Sequence, residues 1–222
     1  MGGLLPHEAG ACIAPEAMPD TLPRPDRCIV LVGLMGVGKS TVAAMFADEG
    51  VPVFDADAVV HRLQGPAGAL VAEIEAHFPG TTGPEGVNRT ALSERVLGAP
   101  EALRRLESLV HPAVAREREA VLAANAAAPV VLLDIPLLFE AGGWQAVDKI
   151  AVVSAHADVQ RARVLARFGM SEEKFEHILA RQFPDAEKRA RADFVIPTGG
   201  SLAETRQAVR RILACLKPAS DS

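Results

Sequence analysis

The sequence predicts an α/β fold: one sheet of five parallel strands layered between helices, with a helical insertion and a helical lid. Three observations lead there. Short apolar runs alternate with helical patterns over much of the chain, as in a sheet buried on both faces. The first run, Ile29-Val-Leu-Val32, leads into Gly33-Leu-Met-Gly-Val-Gly-Lys39-Ser40, which has the spacing of a phosphate-binding P-loop. Between residues 65 and 128 the alternation stops and the pattern is mostly helical, so an insertion interrupts the sheet.

A chain of 222 residues is long enough for one large α/β domain with insertions. Its 49% hydrophobic and 23% charged residues are ordinary for a soluble protein. A net charge of −5 argues against broad binding to nucleic acid or acidic membranes, so neither is an expected partner. Cys12, Cys28 and Cys215 are far apart and lack metal-ligand spacing, and they read as free or buried thiols in a reducing compartment. No stretch approaches transmembrane length, and the first basic residue, Arg24, comes too late for a secretory signal. The expected location is cytoplasmic; oligomeric state is left open.

Taken in order, residues 1–26 carry five prolines and no sustained period, which reads as a flexible leader. Strand 28–32 and the P-loop lead into helix 39–49, whose apolar Val42, Met45 and Phe46 are followed by the stop signal Gly50. Val51-Pro-Val-Phe54 is the second strand. It ends in Asp55-Ala-Asp57, before a short helix of about 57–64 that carries His61. Helices are expected at 67–77, 90–97, 100–110 and 113–126, broken by Pro and Gly, with 79–86 the most open stretch. Val130–Leu133, Lys149–Val153 and Phe194–Ile196 complete the strands, and Ser201-Leu-Ala-Glu204 is a capping box opening the last helix. The core is thus 27–64 and 129–216, the insertion 65–128, the lid about 157–191 and the tail 217–222.

The chemistry follows from what the strand ends carry. Backbone N–H groups of a P-loop converge on phosphate oxygens, and the following helix adds its positive end. The expected nucleotide contacts are Gly36, Val37, Gly38, Lys39, Ser40 and Thr41. Lys39 places a charge on the outer phosphates and the Ser40 hydroxyl suits Mg²⁺, with Asp134 as the acidic residue opposite. Ligands of parallel sheets bind beyond the carboxyl ends of the strands, so Asp55, Asp57 and His61 can share that site. Asp55 is either a site group or the cap of the next helix. Gln160, Arg163 and Arg167, at i, i+3 and i+7, share a helix face as a phosphate clamp, while Arg161 points elsewhere and is solvated. Gly169 and Ser171-Glu-Glu make a hinge and a new helix start, as in a mobile lid. His111, before Pro112, is either an acceptor contact or a packed histidine at a helix junction.

Together these stretches resemble the dephospho-CoA kinases. The matching residues are the P-loop at 33–41, Asp55-Ala-Asp57 with His61, His111-Pro112, Asp134-Ile-Pro-Leu-Leu-Phe-Glu140, Gln160 to Arg167, Arg181-Gln182, and Ala190-Arg-Ala-Asp-Phe-Val-Ile196. The resemblance spans about 28–205. It implies a P-loop NTPase-type kinase with a five-stranded parallel sheet, a helical CoA-binding subdomain and a lid. Such an enzyme transfers the γ-phosphate of ATP, with Mg²⁺, to the ribose 3′-hydroxyl of dephospho-CoA. By position, Asp57 matches the base, with Lys39, Arg163 and Arg167 at the phosphates. Asp55, His61, Arg89, His111, Pro136, Leu137 and Glu140 fall on the acceptor side. Three stretches depart from the family pattern: Leu34-Met-Gly-Val37 for Gly-Ile-Gly-Ser, Gly86-Val-Asn88-Arg89 for Gly-x-x-Asp-Arg, and Pro197-Thr-Gly-Gly200 for Asp-Asn-Ser-Gly.

Two rivals remain. The loop wording is also seen in shikimate kinases, making another small-molecule P-loop kinase the first alternative. A GTPase-like or non-enzymatic nucleotide binder is the second, though no Asn-Lys-x-Asp guanine signature is present.

Overall fold

The computed structural model describes residues 28–136, 138–139 and 147–216; the expected leader and tail, and Leu137 and Glu140, lie outside them. The elements run in chain order as β1 (Cys28–Gly33), α1 (Lys39–Asp48), β2 (Val53–Asp55) and α2 (Ala56–Gln64), then α3 (Val71–His77). A small hairpin follows, β3 (Thr82–Gly83) with β4 (Gly86–Val87), then α4 (Arg89–Val96) and α5 (Pro100–Ala124). The chain continues with β5 (Val131–Asp134), β6 (Lys149–Ser154), α6 (Ala157–Leu165), α7 (Glu172–Leu179), α8 (Asp185–Ala190), β7 (Phe194–Pro197) and α9 (Leu202–Leu216).

The main sheet has the order β2-β5-β1-β6-β7 with every neighbouring pair parallel, which bears out the expected five-stranded fold. All six residues of β1 are buried. That is why its sequence is continuously apolar rather than alternating: helices cover both faces. Ile29 and Leu31 pack with Val42 and Phe46 of α1 and Val209 and Ile212 of α9. Val30 and Val32 pack the other way, with Phe54, Ile74, Val110 and Val114. The capping box at α9 is formed: Ser201 N–H donates to Glu204 Oε2 at 2.7 Å, and Glu204 N–H donates to Ser201 Oγ at 3.2 Å.

Four local expectations need correction. Helices 100–110 and 113–126 are one 25-residue helix that passes through Pro112. An interior proline costs about 3 kcal/mol. Leu106, Val110, Ala113, Val114 and Leu122 are nonetheless buried along α5, and each large one contributes about 1.5–3 kcal/mol. Burial on both sides of the proline therefore outweighs the break. Helix 67–77 starts only at Val71, because Ala67 takes φ 56° and the chain turns through Gly65 and Gly68. The open stretch 79–86 contains the hairpin, closed from one side by Glu75. Its carboxylate accepts Gly80 N–H at 2.8 Å, Thr82 N–H at 3.1 Å and Thr82 Oγ–H at 2.8 Å. These bonds hold its pKa below the ordinary carboxylate value. The stretch 157–191, expected as a lid, has a third helix, α8, that periodicity did not reveal.

The hairpin provides a stability test. Gly86 has φ 90° and a Cβ there would run into the carbonyl of Gln64 and the backbone of Gly65, whereas Gly80, φ 80°, has open space. In urea unfolding, Gly80→Ala should lose about 1–2 kcal/mol, the cost of left-handed backbone alone. Gly86→Ala should lose clearly more, and equal losses would show that the predicted backbone contact does not matter.

Candidate active site

The P-loop turns through Gly36, φ 82°, and Gly38, φ 90°, both in the region that only glycine enters freely. The Gly38 carbonyl accepts Val42 N–H at 3.1 Å and so starts α1. Leu34 and Val37 are buried and anchor the loop from below. At Gly36 any side chain would strike Val164 of α6, so the loop and α6 are in direct contact.

The segment after β7 holds the loop from another direction. Thr198, buried, directs its hydroxyl at the Val37 carbonyl at 2.5 Å and the Ser154 carbonyl at 3.2 Å. Its N–H donates to Ser154 O at 2.9 Å. Arg163 Nη2 donates to the Thr198 carbonyl at 2.7 Å, close beside Gly38. Thr198 lies within the Pro197–Gly200 departure from the family wording, and that departure was the one available signal. Its partner, 161 residues away, could not be read from the chain.

Lys39, at the start of α1, forms an ion pair with Asp134 at the end of β5. Asp55 lies level with Asp134 in the β2–β5 register. Burial pushes the Asp134 carboxyl above its ordinary pKa; Lys39 opposes this and the charges of Asp55 and Asp57 add to it. Asp134 is 3% exposed, so burial prevails over one partly solvated lysine. Asp55 Oδ1 accepts Ala58 N–H at 2.9 Å, so the cap reading of Asp55 is met. Asp57 is exposed in the first turn of α2.

Other expected residues divide. His61 and Arg89 meet: Arg89 Nη2 donates to His61 Nδ1 at 2.7 Å, joining α2 to α4. His111 lies within α5 rather than at a junction of two helices, and its buried Nε2 has no hydrogen-bond partner among the described residues. Pro136 is half-buried in the turn after β5; Leu137 and Glu140 lie outside the described residues. Gln160 and Arg163 both reach the P-loop region. Arg167 does not share their helix face as expected, because α6 ends at Leu165 and Arg167 sits exposed in the following turn. Arg161 is not simply solvated. It pairs with Glu172 at 2.6 Å and Glu176 at 3.5 Å, joining α6 to α7.

Comparison with known proteins points one way. A family model described as dephospho-CoA kinase matches residues 27–204. A dephospho-CoA kinase of Novosphingobium aromaticivorans is 60% identical over 187 residues, covering 84% of this chain and 93% of its own. One of Brucella melitensis is 51% identical over 194 residues, covering 86% and 96%. The crystal structure of TT1252 from Thermus thermophilus superposes with a TM-score of 0.76 at 36% identity, over 88% of this chain and 100% of that one. The dephospho-CoA kinase from Campylobacter jejuni, TM-score 0.63 at 24% identity over 84% and 95%, shares the fold.

The raised pKa of Asp134 has a measurable consequence in the ligand-free protein. A carboxyl that titrates higher when folded binds more protons in the native state, between the ordinary value and the raised one. Its contribution therefore favours folding in acid and is lost as pH rises through the folded pKa. Asp134→Asn should flatten this part of the stability-against-pH curve relative to the parent, measured by urea unfolding across pH. An unchanged difference between the two curves would contradict the assignment.

Proposed function

The chain belongs to the dephospho-CoA kinase family, and from that premise we infer that it transfers the γ-phosphoryl group of ATP to the ribose 3′-hydroxyl of dephospho-CoA. The observation that carries the reading is the meeting of Lys39, Asp134 and the Asp55–Asp57 strand end at one edge of the sheet. Phosphoryl transfer needs cradled phosphates, neutralised charge and a group that receives the acceptor's proton. The convergence supplies candidates for all three.

In this reading the backbone of Gly36 to Thr41 cradles the phosphates, and Lys39 moves from Asp134 toward them. Asp57 accepts the proton of the attacking hydroxyl. Arg163, steadied by the Thr198 carbonyl, and Arg167 on the turn beyond it offset charge on the transferring group. The donor set also fits Mg²⁺. Asp134 is a buried carboxylate whose ionised form lacks solvent, Ser40 offers a hydroxyl nearby in sequence to Lys39, and Mg²⁺ asks for only one or two protein oxygens. When bound, the ion would neutralise charge on the outer phosphates.

The acceptor is assigned to the helical stretch 65–128, with the His61–Arg89 pair, Asp55, His111 and Pro136 as contacts, and Leu137 and Glu140 as further ones. The stretch 157–191 is assigned as the lid. The shikimate-type alternative rests on loop wording alone, and relatives named dephospho-CoA kinase at 51% and 60% identity weigh against it. No helix among the described residues is long and apolar enough to cross a membrane. We assign the enzyme to the cytoplasm, with ATP and dephospho-CoA as its small-molecule partners.

Incubation with ATP should add the mass of one phosphate to dephospho-CoA, with Lys39→Ala as the inactive control. No product from dephospho-CoA would overturn the reading. Asp57→Asn should lower kcat by about 10² or more while ATP binding persists. Arg163→Ala should lose about 10³ in kcat and stay folded. An unchanged kcat in either variant removes that residue from the mechanism, and an unfolded Arg163→Ala makes its role structural.

A further inference from the structure

Two glutamines from separate lid elements meet at one peptide unit of the P-loop. Gln160 of α6, only 5% exposed, donates from Nε2 to the Met35 carbonyl at 2.8 Å. Gln182, in the turn after α7, accepts the Met35 N–H at Oε1, 3.2 Å. The polarity is dictated by the backbone, since an N–H only donates and a carbonyl only accepts. Met35 directly precedes Gly36, where the phosphate-binding turn takes its positive φ.

Each glutamine is itself held. Gln160 belongs to the helix whose Val164 lies against Gly36. Gln182 is followed by Phe183, whose ring stacks on Phe139 with centroids 5.6 Å apart and 17° between planes. Arg191 lies over Phe183 at 5.0 Å and Lys188 over Phe139 at 5.9 Å, extending the stack with a cation at each end. Phe139 follows β5 by a few residues, so this column ties the lid to the segment beyond Asp134.

We propose that Gln160 and Gln182 are positioning residues for the nucleotide: together they hold the Met35 peptide and keep the tip of the P-loop in its phosphate-binding shape. They act through the loop backbone. The proposal rests on the reading of that loop as the ATP site. A loop that visits other shapes binds ATP more weakly, its affinity falling in proportion to the fraction of time it keeps the binding shape. Nucleotide affinity therefore depends on two side chains outside the P-loop motif, and Gln160, expected at the phosphates with Arg163, acts through the loop backbone instead.

The test is equilibrium binding of ATP to the full chain without acceptor, alongside thermal melting. Gln160→Met and Gln182→Met fill similar space but cannot bond to the peptide. Each should weaken ATP binding about fivefold, the scale of one hydrogen bond, while melting within a few degrees of the parent. Gln182→Glu keeps the acceptor that Met35 N–H needs, whereas Gln160→Glu sets a carboxylate against a carbonyl. Both add one negative charge beside the same peptide, so charge alone treats them alike. Gln182→Glu should bind ATP at least about threefold more tightly than Gln160→Glu. Parent-like affinity in both Met variants, or equal affinity in the two Glu variants, would overturn the proposal.

Should Gln160→Glu fail to fold, the Met pair decides. The double variant should lose less affinity than the product of the two single losses, because the loop tip is already released once either bond is gone. A multiplicative loss overturns it. Retained ATP binding without turnover of dephospho-CoA would count against the acceptor assignment alone and leaves this test intact.

Discussion

Parallel pairing of β1 with β5 determines where the polar groups at the strand ends can be. With Leu31 level with Asp134 in the register, the P-loop that follows β1 and the acid that ends β5 emerge on the same edge of the sheet. Lys39 then reaches Asp134 although 95 residues separate them in sequence. The β2–β5 register sets Asp55 level with the same acid, and α2 begins there with Asp57. A slip of this register by one residue would exchange the faces of every strand side chain, and the apolar packing on both faces resists it. The same core burial that stabilises the sheet therefore aligns its polar end.

That polar end is poised at an energetic cost. A buried carboxylate with one lysine partner is not a strongly stabilising arrangement, because desolvation offsets most of the Coulomb attraction. The raised pKa of Asp134 expresses this cost, and the neighbouring Asp55 and Asp57 increase it. Cationic groups are what such a site favours. The Lys39–Asp134 pair therefore adds little to the stability of the fold.

The loop at this edge is supported from outside its own motif. Thr198 bonds the carbonyl of Val37, Gln160 and Gln182 reach the peptide of Met35, and Val164 lies against Gly36. Glycines give the loop its freedom to turn, and by the same property they make it intrinsically loose. Side chains from β7's outgoing segment, from α6 and from the turn after α7 restrict that freedom. Arg161, bridging to Glu172 and Glu176, joins α6 to α7.

Local patterns in the sequence determined a good deal: the buried strands from their apolar runs, the P-loop from its glycine and lysine spacing, the capping box at Ser201, and the helical character of the stretch 65–128. Each depends on residues a few positions apart, whose physics is local. Tertiary structure alone decided the rest. It carried α5 straight through Pro112, because burial on both flanks outweighs one lost backbone bond. It ended α6 before Arg167 and brought His61 to Arg89. It joined Thr198 to Val37 and Gln182 to Met35, pairs more than 140 residues apart. No periodicity encodes such meetings, since they exist only once the sheet order has placed distant strand ends side by side.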